Sequence, residues 1–130
     1  MLQEIGGRWR IIPLITGWGR GGITVAYQSK LKDPFIDELF EAILLLRNEE
    51  ECYRFFEDIC TVAELKSIAQ RLAVAKMLDQ DCTYTTIAEK TGASTATISR
   101  VKRALNYGAD GYKLILARLK EKKVDREPKE

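Results

Sequence analysis

The residues able to do chemistry in this chain are concentrated between Tyr84 and Arg103, in the run YTTIAEKTGASTATISRVKR. From Thr95 to Arg103 that run carries three hydroxyl side chains, Thr95, Thr97 and Ser99, and three cations, Arg100, Lys102 and Arg103, with no acid among them. Cations neutralise phosphate and hydroxyls donate hydrogen bonds, so this density of both suits a polyanion such as DNA. Other chemistries lack their parts. The chain has no histidine, which removes the commonest general base and the usual switch near neutral pH. Its three cysteines, Cys52, Cys60 and Cys82, are odd in number and form no CxxC pair, so they read as small buried thiols and no metal site is expected. Neither a glycine-rich phosphate loop nor a nucleophile elbow occurs. An enzyme is therefore not expected, nor any cofactor.

Two short helices and a tight turn would position the cations. The first is expected from about Thr83 to Lys90, burying Ile87 and Ala88, the small Ala88 lying where crossing helices come closest. Gly92 supplies the positive φ of the turn. Ser94 caps a second helix whose inward residues are Ile98, Val101 and Leu105, which leaves Thr95, Ala96, Thr97, Ser99, Arg100, Lys102 and Arg103 outside. This is the helix-turn-helix plan.

The preceding chain is helical in pattern from Lys30. Asp33 caps a helix with Pro34 at its first position and an apolar stripe of Phe35, Ile36, Leu39, Phe40, Ile43 and Leu44. A second begins after Asn48, with Glu49, Glu50 and Glu51 at the positive end of its dipole and a buried face of Cys52, Tyr53, Phe55, Phe56 and Ile59. Consecutive acids in one helical turn diverge, so the three glutamates read as capping charges and not as a metal cluster. The aromatic set reads as core packing rather than a base-stacking platform. Asn48 with Glu51, and then Thr61 with Glu64, have the capping-box spacing, the latter before a longer helix through Leu65, Ile68, Ala69, Leu72, Ala75 and Leu78. After the helix-turn-helix, Asp110 caps a last helix from about Gly111 to Lys123 with Tyr112, Ile115, Leu116 and Leu119 on its apolar face. Six helices and no strands are expected.

Both ends of the chain differ from this middle. Residues 1–28 hold six of the nine glycines and both tryptophans without a helical period, and the apolar run Ile11 to Ile15 is too short for a signal or a membrane span. A short strand pair is possible, yet nothing later offers a sheet for it to join, so this stretch is expected to be disordered, or to reflect a start codon placed too far upstream, with a true start near Val25. Residues 124–130 form a charged, frayed tail. The net charge of +2 conceals a gradient. Asp33 to Glu64 contains ten acids against Arg47 and Arg54, whereas Lys66 to Glu130 contains fourteen bases against eight acids. The basic half is the half with the helix-turn-helix.

From about Lys30 to Lys123 the chain resembles the Trp repressor superfamily, most closely the Trp-repressor-related proteins of the YerC/YecD type. Gln70 and Arg71, the run Thr83 to Glu89 and the run GASTATISRVKRALNYG from Gly92 to Gly108 carry the likeness. It implies an all-α, six-helix Trp-repressor-like domain over residues 29–123, forming an intertwined homodimer. The apolar stripe from Phe35 to Ile59, larger than one small domain needs, agrees with a dimer. The implied function is sequence-specific binding of double-stranded DNA by a transcriptional repressor, cytoplasmic and associated with the nucleoid of a bacterium. Two recognition helices would enter successive major grooves of a near-palindromic operator. Arg100 and Arg103 would contact base edges or phosphates, Thr95, Thr97 and Ser99 would add direct or water-bridged hydrogen bonds, Lys102 would support the field, and Thr83 and Thr85 would hold a phosphate.

In Trp repressor the ligand indole lies between two arginines, which Arg71 and Arg100 match. The glycine beside it is Val101 here, and a serine that helps to bind the ammonium is Ala104. The expectation is a protein that does not take tryptophan as corepressor, with any effector being another small molecule. The rival reading is a helical protein-interaction module that binds no DNA, in which Arg100, Lys102 and Arg103 are a solvated face.

Overall fold

Capping side chains at Asp33, Thr61, Thr83 and Ser94 set where four of the described helices start. A computed structural model of the protein describes residues 2–11 and 26–126. The described residues form α1 (Pro34–Leu44), α2 (Glu49–Ile59), α3 (Val62–Asp79), α4 (Tyr84–Thr91), α5 (Thr95–Tyr107) and α6 (Gly111–Val124). Ahead of these lie two short strands, β1 (Leu2–Ile5) and β2 (Arg8–Ile11). The chain divides into two compact units, residues 1–48 and 49–130.

In the first unit β1 and β2 pair antiparallel, Leu2 opposite Ile11 and Ile5 opposite Arg8. The strand pair lies ahead of the six expected helices, in the stretch where the sequence leaves such a pair possible. Its cause is local: Gly6 and Gly7 both take positive φ, 61° and 75°, which is the two-residue turn that matches strand twist. The remainder of that stretch up to Val25, including the suggested start, lies outside the described residues. α1 begins as its sequence requires. The Asp33 carboxylate accepts from the amides of Phe35 at 2.8 Å and Ile36 at 3.3 Å, ahead of Pro34 at the first position.

In the second unit, Glu50 on the first turn of α2 pairs with Arg54 at 2.6 Å. The Thr61 hydroxyl accepts from the Glu64 amide at 3.1 Å and donates to the Glu64 carboxylate at 2.8 Å, starting α3. α3 is closed by Asp81 in the left-handed region at φ 57°, with the Cys82 amide reaching back to the Met77 carbonyl at 3.0 Å. One capping expectation fails. Asp110 precedes α6 but sits at φ 62° and makes no side-chain cap bond, its carboxylate pairing instead with Lys113 at 3.3 Å.

α3, α4, α5 and α6 pack on one another around Val74, Ala75, Ile87, Ala93, Ile98, Val101 and Leu116. This is a small core, formed by the inner faces of α3 to α6. The apolar stripes of α1 and α2, expected to be buried, contain no buried residue. Phe35 is 82% and Leu44 83% exposed on α1, and Tyr53 is 58% exposed on α2. α3 has apolar residues on two sides, Val74 and Ala75 inward and Ile68 and Leu72 exposed. Between α2 and α3, Cys52, Tyr53, Phe56, Leu65 and Ala69 line an open, largely apolar groove of about 400 Å³.

Candidate nucleic-acid interface

α4, the turn at Gly92 and α5 are built from local signals that the side chains themselves satisfy. Thr83 caps α4, its hydroxyl accepting from the Thr86 amide at 3.2 Å and donating to the Thr86 hydroxyl at 2.9 Å. Ile87 is the fully buried anchor of α4. Gly92 then turns the chain at φ 70°, a conformation costly for any residue with a Cβ, and its amide closes on the Ala88 carbonyl at 2.9 Å. Ser94 caps α5 by accepting from the Thr97 amide at 3.2 Å, and Ile98 and Val101 hold the inner side of α5 against the core.

The outer side of α5 is exposed at Thr95, Ala96, Ser99, Arg100, Lys102 and Arg103. At about 100° per residue, Ser99, Arg100 and Arg103 project from one face, diametrically away from Ile98, Val101 and Leu105. Two of the expected site residues are placed differently. Thr97 is half-buried, and its hydroxyl accepts from the Ser94 hydroxyl at 3.1 Å. Lys102 lies to the side, its Nζ 5.4 Å from the centre of the Tyr84 ring, so that it joins α5 to α4 through a cation–π contact. Thr85 is exposed on the first turn of α4, whereas the Thr83 hydroxyl is committed to Thr86.

The four residues expected to line a ligand pocket differ in exposure. Val101 is 2% exposed and part of the core, while its neighbours Arg100 and Ala104 are exposed. Arg71, exposed on α3, turns back along its own helix, donating from Nε to the Ser67 carbonyl at 3.3 Å and from Nη2 to the Ser67 hydroxyl at 3.4 Å. Among the described residues no group of three or more histidine, cysteine or acidic side chains is arranged to hold a metal ion.

Three tertiary contacts here had no signal in the sequence. The Gln70 side-chain amide donates to the Thr91 carbonyl at 3.0 Å, Tyr84 receives Lys102, and Lys120 of α6 pairs with Asp79 of α3 at 2.6 Å. Each joins residues on different helices, and helical periodicity describes only one helix at a time.

The sequence profile described as Trp repressor protein matches residues 35–120, all six helices but for the ends of the first and last. The chain belongs to the Trp repressor family. The family is one of DNA-binding regulators, not of enzymes. The uncharacterized protein YerC of Bacillus subtilis (strain 168) is 56% identical over 97 residues, covering 75% of this chain and 93% of its own. Among solved structures, a Staphylococcus aureus protein described provisionally as a Trp repressor is 59% identical with a TM-score of 0.68, covering 70% of this chain and 91% of its own. A TrpR like protein from Eubacterium eligens ATCC 27750 is also 59% identical, with a TM-score of 0.67, covering 69% of this chain and 93% of its own. The expected all-α, Trp-repressor-like fold is thereby established, with the β1–β2 hairpin lying ahead of the matched residues. No helix among the described residues is long and apolar enough to cross a membrane.

Proposed function

We propose that this member of the Trp repressor family is a sequence-specific, DNA-binding transcriptional repressor that acts as an intertwined homodimer in the bacterial cytoplasm. The observation that carries the reading is the outer face of α5. There Ser99, Arg100 and Arg103 stand exposed without an acid on the helix, backed by fully packed Ile98 and Val101. Arg100 and Arg103 take phosphates or base edges, Thr95 and Ser99 add hydrogen bonds, and Thr97 contributes through the N-terminal turn it shares with Ser94. Lys102, held over Tyr84, supplies field. At α4, Thr85 and the first-turn amides receive a phosphate, with Thr83 ordering that turn.

A second copy covers the exposed apolar faces of α1, α2 and α3, and the two-fold axis that results spaces two α5 helices for successive major grooves. Selection of sites from random DNA should therefore return near-palindromes with half-sites about one helical turn, ~10 base pairs, apart. Affinity for the selected site should fall steeply as salt rises. Retention on no DNA even at low salt would sink the proposal and favour a protein-interaction module in its place.

The corepressor is not tryptophan. Val101 occupies core volume, Ala104 offers no hydroxyl, and Arg71 is engaged with Ser67. An effector, where one acts, is a different small molecule. Calorimetry with millimolar tryptophan should give no saturable heat, and saturable binding at micromolar affinity would refute this.

A further inference from the structure

The turn between α4 and α5 sets how α5 is presented, and its polar groups are mostly satisfied from within. The Thr91 hydroxyl donates to the Ile87 carbonyl at 2.7 Å and accepts from the Ala93 amide at 3.2 Å, while the Gly92 amide donates to the Ala88 carbonyl at 2.9 Å. The Thr91 carbonyl belongs to the last turn of α4, where helical carbonyls lose their partners. Its hydrogen bond comes from outside the motif, from Gln70 of α3 at 3.0 Å. That bond spans 21 residues of sequence, whereas the bonds just described close within four.

We infer that Gln70 is a positioning residue for DNA reading, its side-chain amide clamping the helix-turn-helix turn to α3 and so fixing the orientation of α5. The inference rests on the DNA-binding function proposed above. Gln70 is half-buried, and Val74, one turn further along the same face of α3, is fully buried, so the amide is presented from the packed side of the long helix. It passes over the turn where the backbone is barest: a Cβ on Gly92 would lie 4.0 Å from Gln70 Nε2, nearer than any other atom beyond the adjoining residues. α3 also carries Ile68 and Leu72 exposed on another side. One helix thus holds both the surface assigned to the second copy and the donor that holds the turn. Without the amide, the turn can still form its own bonds, which then open more often, and the core keeps Ile87 and Ile98, but the α4 end loses its link to α3. The motif then folds with α5 free to rock, which costs most where base edges must be met and least where any phosphate will serve.

The test is Gln70→Met, which keeps the length and apolar stem and removes the donor, with Gln70→Ala as a second variant. In the free protein, amide exchange at Gly92 and Ala93 should accelerate about tenfold while that of Val74 and Ala75 is unchanged. Affinity for the selected operator should fall about tenfold, with binding to unrelated DNA within about twofold of wild type and the salt slope the same, because no phosphate contact has been removed. Unchanged exchange at Gly92 and Ala93 would overturn the clamp. Accelerated exchange with an unchanged ratio of operator to unrelated DNA would overturn the positioning role. A wild-type protein that holds no DNA would overturn the proposed function and this role with it, while the exchange measurement still reports on the clamp itself.

Discussion

Replacing Arg100 and Arg103 together with alanine is expected to weaken binding to the selected operator about a hundredfold at moderate salt, taking each cation–DNA contact at roughly 1–3 kcal/mol. Both side chains are exposed on α5, pointing away from Ile98 and Val101, so the double variant should melt with the wild-type protein and keep its helical spectrum. If both guanidinium groups lie on phosphates, the slope of log affinity against log salt should fall by about two. Contacts to base edges would instead leave the slope closer to wild type and relax preference at particular operator positions. Fluorescence anisotropy with labelled operator over a salt series distinguishes the two. A double variant within threefold of wild-type affinity would remove α5 from the interface.

Ile68→Glu addresses the other large surface. Ile68 is 50% exposed in the protomer, midway along α3, on a side that the small core of α3 to α6 does not use. In the proposed dimer that side is covered, and a carboxylate there must shed its water without a partner. The variant should sediment as a monomer, lose operator binding, and melt lower by more than about 10 °C, or without a cooperative transition. On a free solvent-facing helix the same change would alter stability by no more than about 0.5 kcal/mol. A variant of dimeric mass and unchanged melting temperature would place the interface elsewhere.

α4, its turn and α5 were legible because their signals are local. Thr83, Gly92 and Ser94 act on amides within three or four residues, and Ile87, Ile98 and Val101 follow the helical period, so the element and its inner face could be read off directly. α3 was legible as a helix but not in its facing. Its apolar residues lie on two sides, and Val74, which the core buries completely, was not among those expected inside. In α1 and α2 the stripes are part exposed, at Phe35, Phe40, Leu44, Tyr53 and Ile59, and part half-buried, at Ile36, Leu39, Ile43, Cys52, Phe55 and Phe56, because periodicity shows which residues share a stripe and not what covers it. Asp110 had the right residue type for a cap but adopts a left-handed backbone that aims its carboxylate at Lys113. Within the site, the outward cations were readable from helical geometry, whereas the sideways turn of Lys102 onto Tyr84 and the reach of Gln70 to Thr91 depend on how helices cross. The hairpin was legible only as a possible strand pair, because it has no wider sheet to join, although Gly6 and Gly7 specify its turn unaided.

The lack of a single buried side chain in α1 and α2 also bears on how many working copies a cell holds. If a second chain completes their packing, assembly is second order in the protein. When synthesis is low and most chains are unpaired, halving their number cuts the paired form about fourfold, since mass action squares the concentration. Unpaired chains would carry exposed phenylalanine and leucine and be open to proteolysis, which steepens the response further. Occupancy of an operator could then be set by gene dosage and turnover alone, with abundance taking the part a small-molecule signal plays elsewhere.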